Sequence, residues 1–350
     1  MSTTACFYIG SATAFNVGLT TKNIGLMMHD DLDLHLVGTA VDDLDADVRE
    51  LFSVYGTAYD STRIGGVRAL HSYLRTHDPN VLTHVVQPPV HGTIGATLAN
   101  MYDVPFAYRY SGDRFFEYRV ASGVQSTKFF IVNNVLGRLP IALSTKYVTL
   151  GPTGTNRLTS LFLGPNEREI VELPTPVNLD RFSNVGTESP YGVEGPIAVS
   201  IGRITDLKGA KFIEATLPRL LTRRPDLHVV FIGSKRDSID VPPTLEHRVS
   251  FTGPIAPAAV PKYLAFANVL IHPSLTEGLP RVLLESLASG TPVVARDVGD
   301  VASVTENTFT TANEFLDLVS QFESLPVDDV EKFSTDVLCQ RYVDFFSSFA

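Results

Sequence analysis

Along the chain, short apolar runs alternate with longer stretches whose apolar residues recur every three or four positions. In the first half the strand-like runs are ACFYIG (5–10), DLHLVG (33–38), VLTHVV (81–86), PFAYRY (105–110), KYVTLG (146–151) and EIVEL (169–173). They are rich in Val, Ile and aromatics, and some are apolar almost throughout, which suits strands covered on both faces of a parallel sheet. Helix-like stretches such as GTIGATLANMY (92–102) separate them. The second half repeats the pattern with PIAVSIG (196–202), LHVVFIG (227–233), VSFTG (249–253), NVLIHP (268–273) and TPVVARD (291–297). Helices are predicted between them over 208–223, 257–267, 279–289 and 312–325. In KGAKFIEATLPRLL the spacing of Phe212, Ile213, Ala215, Leu217 and Leu220 predicts one buried face. Such alternation predicts an α/β architecture of doubly wound, Rossmann-like domains with right-handed crossovers.

The stretch PTPVNLDRFSNVGTESPYGVEGP (174–196) breaks the pattern with Pro, Gly, Ser and Asn, and reads as an interdomain connection. The expected division is a first domain over 1–185, a second over 186–327, and a helical, aromatic-bearing segment over 328–350 that packs back on the first. A length of 350 residues with 44% hydrophobic residues suits two cores better than one. Two such domains joined by a linker are expected to form a ligand-binding cleft.

Composition narrows the partners. A formal net charge of −10 argues against a chain-wide pull on nucleic acid, while a local basic pocket stays open. The 23 Asp against 8 Lys and 20 Arg suggest a halophilic-like, salt-adapted cytosol. Cys6 and Cys339 give neither a disulfide framework nor zinc spacing, which fits a reducing, cytoplasmic compartment. The start MSTTACFYIG lacks a charged and then apolar leader, so no signal peptide is expected. No apolar run reaches the roughly 18–20 residues of a membrane span.

Two segments of the second half carry candidate chemistry. In IGRITDLKG (201–209) a strand ends at Gly202, and Arg203 and Lys208 follow before a helix. An arginine fork and a lysine point charge beyond the carboxyl end of a parallel strand suit a diphosphate. Taken alone, they are equally two solvated loop charges. In SLTEGLPRVLLE (274–285) a strand passes into a helix, and Pro280 is expected in its first turn. The N–H groups of Gly278 and Leu279 then form an anion site with the positive end of the helix dipole behind them. Glu277 and Glu285 either cap the helix and face water or accept hydrogen bonds from sugar hydroxyls. Basic groups for phosphates and carboxylates for hydroxyls together complement a nucleotide diphosphate sugar.

GRITDLKG, FIGS (231–234), VSFTG (249–253) and SLTEGLPRVLLESLASGTPVVARDVGD (274–300) resemble the donor-binding half of the retaining glycosyltransferases of family 4, glycosyl transferases group 1, which have the GT-B fold. The likeness is strong from residue 196 to about 305. The first half matches only in its strands and helices and in NLDRF (178–182). The resemblance implies that Arg203 and Lys208 bind the donor diphosphate and stabilise the leaving charge, so that no divalent metal and no cofactor is needed. Glu277 would hold the transferred sugar, Gly278 and Leu279 would offer N–H groups to sugar and phosphate, and Glu285 would hold the ribose. Ser234, Thr252 and Gly253 would lie near base and ribose. The leaving phosphate would help deprotonate the acceptor. Family habit adds a glycan or lipid-linked acceptor and a peripheral contact at the inner membrane face.

The first half departs from the family. GSATAFNVG (10–18) stands where a glycine-rich turn is common, with Gly10 and Gly18 as its bounds, and either approaches a ligand or is an ordinary loop. Where many members carry a histidine, this chain reads YRYSGDRFFEYR (108–119), with Asp113 and no histidine. Asp113 is a polar candidate at the acceptor side, beside Arg109, Arg114 and Glu117; His91 in PPVHGT is another, or a structural histidine. The rivals are a GT-B nucleotide-sugar epimerase and a non-catalytic nucleotide-sugar-binding partner of another transferase. No G-x-G-x-x-G follows the first strand, which disfavours a dehydrogenase.

Overall fold

In the computed structural model the chain forms two compact units, one of Met1–Pro176 with Phe333–Ala350 and one of Val177–Lys332. The structure describes residues 3–11, 15–39, 44, 46–85, 89–112, 114–121, 123–161, 169–183 and 185–350.

The first unit holds β1 (Thr4–Gly10), β2 (Asp33–Gly38), β3 (Ser53–Tyr55), β4 (Val81–His84), β5 (Phe106–Tyr110), β6 (Lys146–Thr149) and β7 (Ile170–Glu172). All pairings are parallel, in the order β3-β2-β1-β4-β5-β6-β7. The order reverses at β1, so Gly10 ends a strand at a topological switch point. Alternating side chains feed two cores. Phe7 joins Met28, Leu36 and Phe346 on one face, and Tyr8 joins Leu70, Tyr108 and Tyr147 on the other. The helix Thr335–Ser347 belongs to the Phe7 face. There Phe346 meets Phe7 at 5.3 Å between ring centroids, and the Tyr342 hydroxyl donates to Pro174 O at 2.9 Å. Cys6 is buried and in no disulfide, and Cys339 donates to Met27 O at 2.9 Å.

The second unit holds β8 (Ile197–Ile201), β9 (His228–Ile232), β10 (Val249–Gly253), β11 (Val269–His272), β12 (Val293–Arg296) and β13 (Thr308–Phe309). They too are parallel, in the order β10-β9-β8-β11-β12-β13, with the switch point between β8 and β11. The doubly wound α/β architecture read from the alternation is therefore present in both units. The helix Ala210–Arg223 buries Ile213, Leu217, Leu220 and Leu221. Ala215, expected inside, faces solvent, and the inward position falls to Thr216. That hydroxyl is tolerated in the core because it donates to Phe212 O at 2.8 Å.

Candidate functional site

Parallel strands bring their carboxyl ends to one edge. In the second unit that edge collects Arg203 and Lys208 beyond β8, Ser234 beyond β9, Thr252 and Gly253 on β10, and Glu277, Gly278 and Leu279 beyond β11. The strand ends are laced together. Ile204 N donates to Ser234 O at 3.0 Å, Arg236 N to Ile204 O at 3.1 Å, and Gly233 N to Gly253 O at 2.9 Å. The Arg203 loop therefore runs beside Ser234, and Ser234 beside the end of β10. Arg203 is exposed and forms no ion pair among the described residues. Thr252 turns its hydroxyl onto Gly253 O at 2.9 Å.

Gly209 sets the position of Lys208. Its φ is +86°, and a Cβ there would lie 2.4 Å from Pro273 O. Beside it, Leu275 N donates to Leu207 O at 2.9 Å and the Ser274 hydroxyl to the same oxygen at 3.3 Å. The turn Asp206–Lys208 is thus pinned against the chain leaving β11. Gly209→Ala is expected to lower stability by about 2–3 kcal/mol, since the left-handed conformation alone costs a residue with a Cβ roughly 1–2 kcal/mol. A chemical-denaturation midpoint would show it.

The pinned turn places the Lys208 ammonium on Glu277 Oε1, and His272 Nε2 reaches the same oxygen at 2.9 Å. The Glu277 side chain is only 12% exposed. Burial pushes its carboxyl up, but the Lys208 charge and the His272 hydrogen bond outweigh this and hold it well below the usual carboxylate range. Glu277 is therefore a fixed, ionised acceptor rather than a helix cap.

The helix Arg281–Ala288 starts two residues later than the expected 279. Pro280 is its N-cap at φ −72° and ψ 115°, because this extended ψ keeps proline outside the first turn, and no side chain caps the helix. Gly278 O accepts from Asp300 N at 2.9 Å, and Gly299, at φ +60°, packs close under the Glu277 and Gly278 carbonyls. In a trans peptide the N–H opposes the C=O. The N–H groups of Gly278 and Leu279 accordingly point away from the Gly299–Asp300 turn, and neither donates to a described backbone carbonyl.

Glu285 does not face water. It is 7% exposed, and its Oε1 lies 3.7 Å from Arg181 Nη1 and 3.4 Å from Arg281 Nε. Burial raises its carboxyl above the ordinary value against the pull of the two guanidinium groups. Arg181 comes from the turn Leu179–Phe182, whose Asn178 cap accepts from Asp180 N at 3.0 Å. Sequence reading missed His272 and Arg181. His272 closes the apolar run of β11 at the carboxyl end of the strand, and Arg181 lies in the NLDRF connector.

In the first unit, Gly10 and His91 come together. Gly10 has φ +62°, and a Cβ there would lie 2.3 Å from His91 Cδ2. Burial, and then the Arg63 charge, lower the His91 pKa. Gly18 does not bound a loop: the helix Phe15–Met28 already contains it, and its missing side chain admits Leu44. Arg109 is no surface contact. It is 9% exposed, faces the C-terminal helix, and shares with Tyr342, Phe7 and Phe346 a cavity of about 20 Å³. Ser111, Gly112 and Arg114 line a space of about 10 Å³, water-sized at most. Glu117 is partly buried, and Asp113 lies outside the described residues. Among the described residues no group of three or more His, Cys, Asp or Glu could hold a metal ion. No helix among them is long and apolar enough to cross a membrane.

Residues 195–325 match the family model described as glycosyl transferases group 1. Phosphatidyl-myo-inositol mannosyltransferase of Mycolicibacterium smegmatis is 30% identical over 134 residues, which are 37% of this chain and 35% of that protein. The GDP-mannose-dependent alpha-(1-6)-phosphatidylinositol monomannoside mannosyltransferase of the same organism is 32% identical over 160 residues, 40% of this chain and 41% of that one. The likeness thus spans well under half the length of these relatives. Among solved structures, Anabaena HepE in complex with UDP and glucose superposes with a TM-score of 0.69 at 15% identity, covering 99% of this chain and 100% of that one. Sucrose-phosphate synthase from Thermosynechococcus elongatus gives 0.68 at 16% identity, over 99% and 95%. The chain has the GT-B fold, two Rossmann-like α/β domains, and its second unit is similar in sequence to the group 1 glycosyl transferases.

Proposed function

We propose that the protein is a retaining glycosyltransferase of family 4 that moves a hexose from a nucleotide diphosphate sugar to a glycan or lipid-linked acceptor, without a metal or other cofactor. The observation that carries this reading is the buried, ionised Glu277 bonded to Lys208 and His272, beside the outward N–H groups of Gly278 and Leu279. Lys208 has three N–H donors and gives Glu277 one, so two remain for phosphate oxygens. The Arg203 fork adds bidentate capacity at the next strand end. As the sugar–phosphate bond breaks, charge grows on the leaving diphosphate, and these cations and N–H groups stabilise it. Glu277 accepts hydroxyl hydrogen bonds from the sugar. Both arginines reach Oε1 of Glu285, which leaves Oε2 for ribose hydroxyls. Ser234, Thr252 and Gly253 border the nucleoside, and the leaving phosphate takes the acceptor's proton. The names of the mannosyltransferases above, which include phosphatidylinositol species, support a lipid-linked acceptor.

The test is a thermal-shift screen against UDP, GDP and ADP sugars, because a ligand bound only by the native state raises its stability. One nucleotide sugar is expected to stabilise the protein, and Arg203→Ala is expected to weaken its binding about tenfold or more. Stabilisation by none of them, or unaltered donor turnover in Arg203→Ala, would refute the reading.

A further inference from the structure

We infer that the described residues of the stretch 114–142 in the first unit form a docking face for an anionic lipid surface. Of the 14 large apolar residues exposed among those described, seven lie here: Val120, Val124, Phe130, Ile131, Val135, Leu136 and Leu139. A soluble surface scatters such residues singly, so their concentration marks an interaction site. The helical turns Phe130–Leu136 set Phe130, Ile131, Val135 and Leu136 four to five residues apart, on one face. The opposite side is fixed to the unit. Asn133 Nδ2 donates to Arg114 O at 2.9 Å, Asn134 Nδ2 to Phe115 O at 3.0 Å, and Thr93 Oγ1 to Leu136 O at 3.3 Å. The exposed stripe is therefore held outward by bonds on its inner side.

Charge selects the occupant. The segment carries Arg114, Arg119, Lys128 and Arg138 against the single acid Glu117, a net +3 in a chain of −10, so the rest of the chain sums to −13. Arg119, Lys128 and Arg138 are exposed beside the apolar residues. Apolar side chains interleaved with cations match the acyl boundary and the head groups of an anionic bilayer. A second copy of this chain fits worse, since a two-fold contact would bring the same cations together.

This deepens the acceptor part of the proposed function and rests on it only for why a lipid surface would serve. The vesicle measurement needs no turnover, so either can fail alone. The full chain is sedimented with vesicles of phosphatidylcholine, and of equal parts phosphatidylglycerol and phosphatidylcholine. Binding is expected only to the anionic vesicles and is expected to weaken with salt. Lys128→Glu with Arg138→Glu is expected to lower partitioning at least about tenfold, and Phe130→Ser with Ile131→Ser by a similar factor. Both pairs alter exposed side chains, and an unchanged melting temperature would show the fold intact. Absence of binding to anionic vesicles overturns the inference, as does binding that neither pair weakens. A dimer abolished by the Phe130 and Ile131 pair, without vesicle binding, overturns it in favour of self-association.

Discussion

Glu277→Gln is expected to lower donor turnover by about two to three orders of magnitude while changing donor affinity only a few-fold. Glutamine keeps the shape of the side chain and one carbonyl oxygen. Lys208 or His272 can still donate to it, and the loop beyond β11 stays anchored by Leu275 N and the Gly299 turn. What vanishes is a negative charge that the site maintains far below the usual carboxylate range despite burial. During glycosyl transfer the anomeric carbon becomes electron-poor, and a fixed carboxylate is worth most at that moment. Lys208, a third exposed, would be left without a counter-charge but still reachable by water, so stability should change little. Single-turnover kinetics at saturating donor separate the two effects. A normal rate in Glu277→Gln would mean that the carboxylate only holds Lys208 in place.

The parallel strands were legible because strands buried on both faces read as unbroken apolar runs. β3 and β13 escaped because each is a two- or three-residue edge strand with no run to read. The candidate loops beyond β8 and β11 were legible as a glycine–basic pair and a carboxylate pair around a helix start. The pairing of Lys208 with Glu277 was not, since 69 residues separate them and only the crossover from β8 to β11 joins them. His272 was masked because it ends an apolar run, where a histidine reads as the strand's last residue. Arg181 was hidden by distance, because nothing local ties the NLDRF turn to Glu285. In the first half, Gly18 looked like a loop boundary only because glycine is a weak signal of where a helix begins. Its true constraint is the approach of Leu44.

Lys208→Ala is expected to be the more damaging change, lowering stability at neutral pH by about 2–3 kcal/mol and donor turnover about a thousandfold. Removing one partner of a fully buried ion pair costs roughly 3–5 kcal/mol. The lower figure applies because the Lys208 side chain is 33% exposed, so part of the interaction is already screened. Glu277, 12% exposed, would keep only His272 against the full cost of burial. The stability effect carries a pH signature. The folded Glu277 carboxyl lies well below its ordinary value of 4.5, so its pairing stabilises the fold above about that pH and is lost as pH falls through the folded value. In Lys208→Ala burial pushes the carboxyl upward, and protonation then relieves the variant on acidification. The gap between wild type and variant should therefore be widest at neutrality, begin to close as pH falls through the variant's raised carboxyl value, above 4.5, and go on closing towards the low folded value of the wild type. Denaturant unfolding at a series of pH values reads this directly. A gap that stays constant, or widens in acid, would place the cost in lost packing rather than in an abandoned carboxylate.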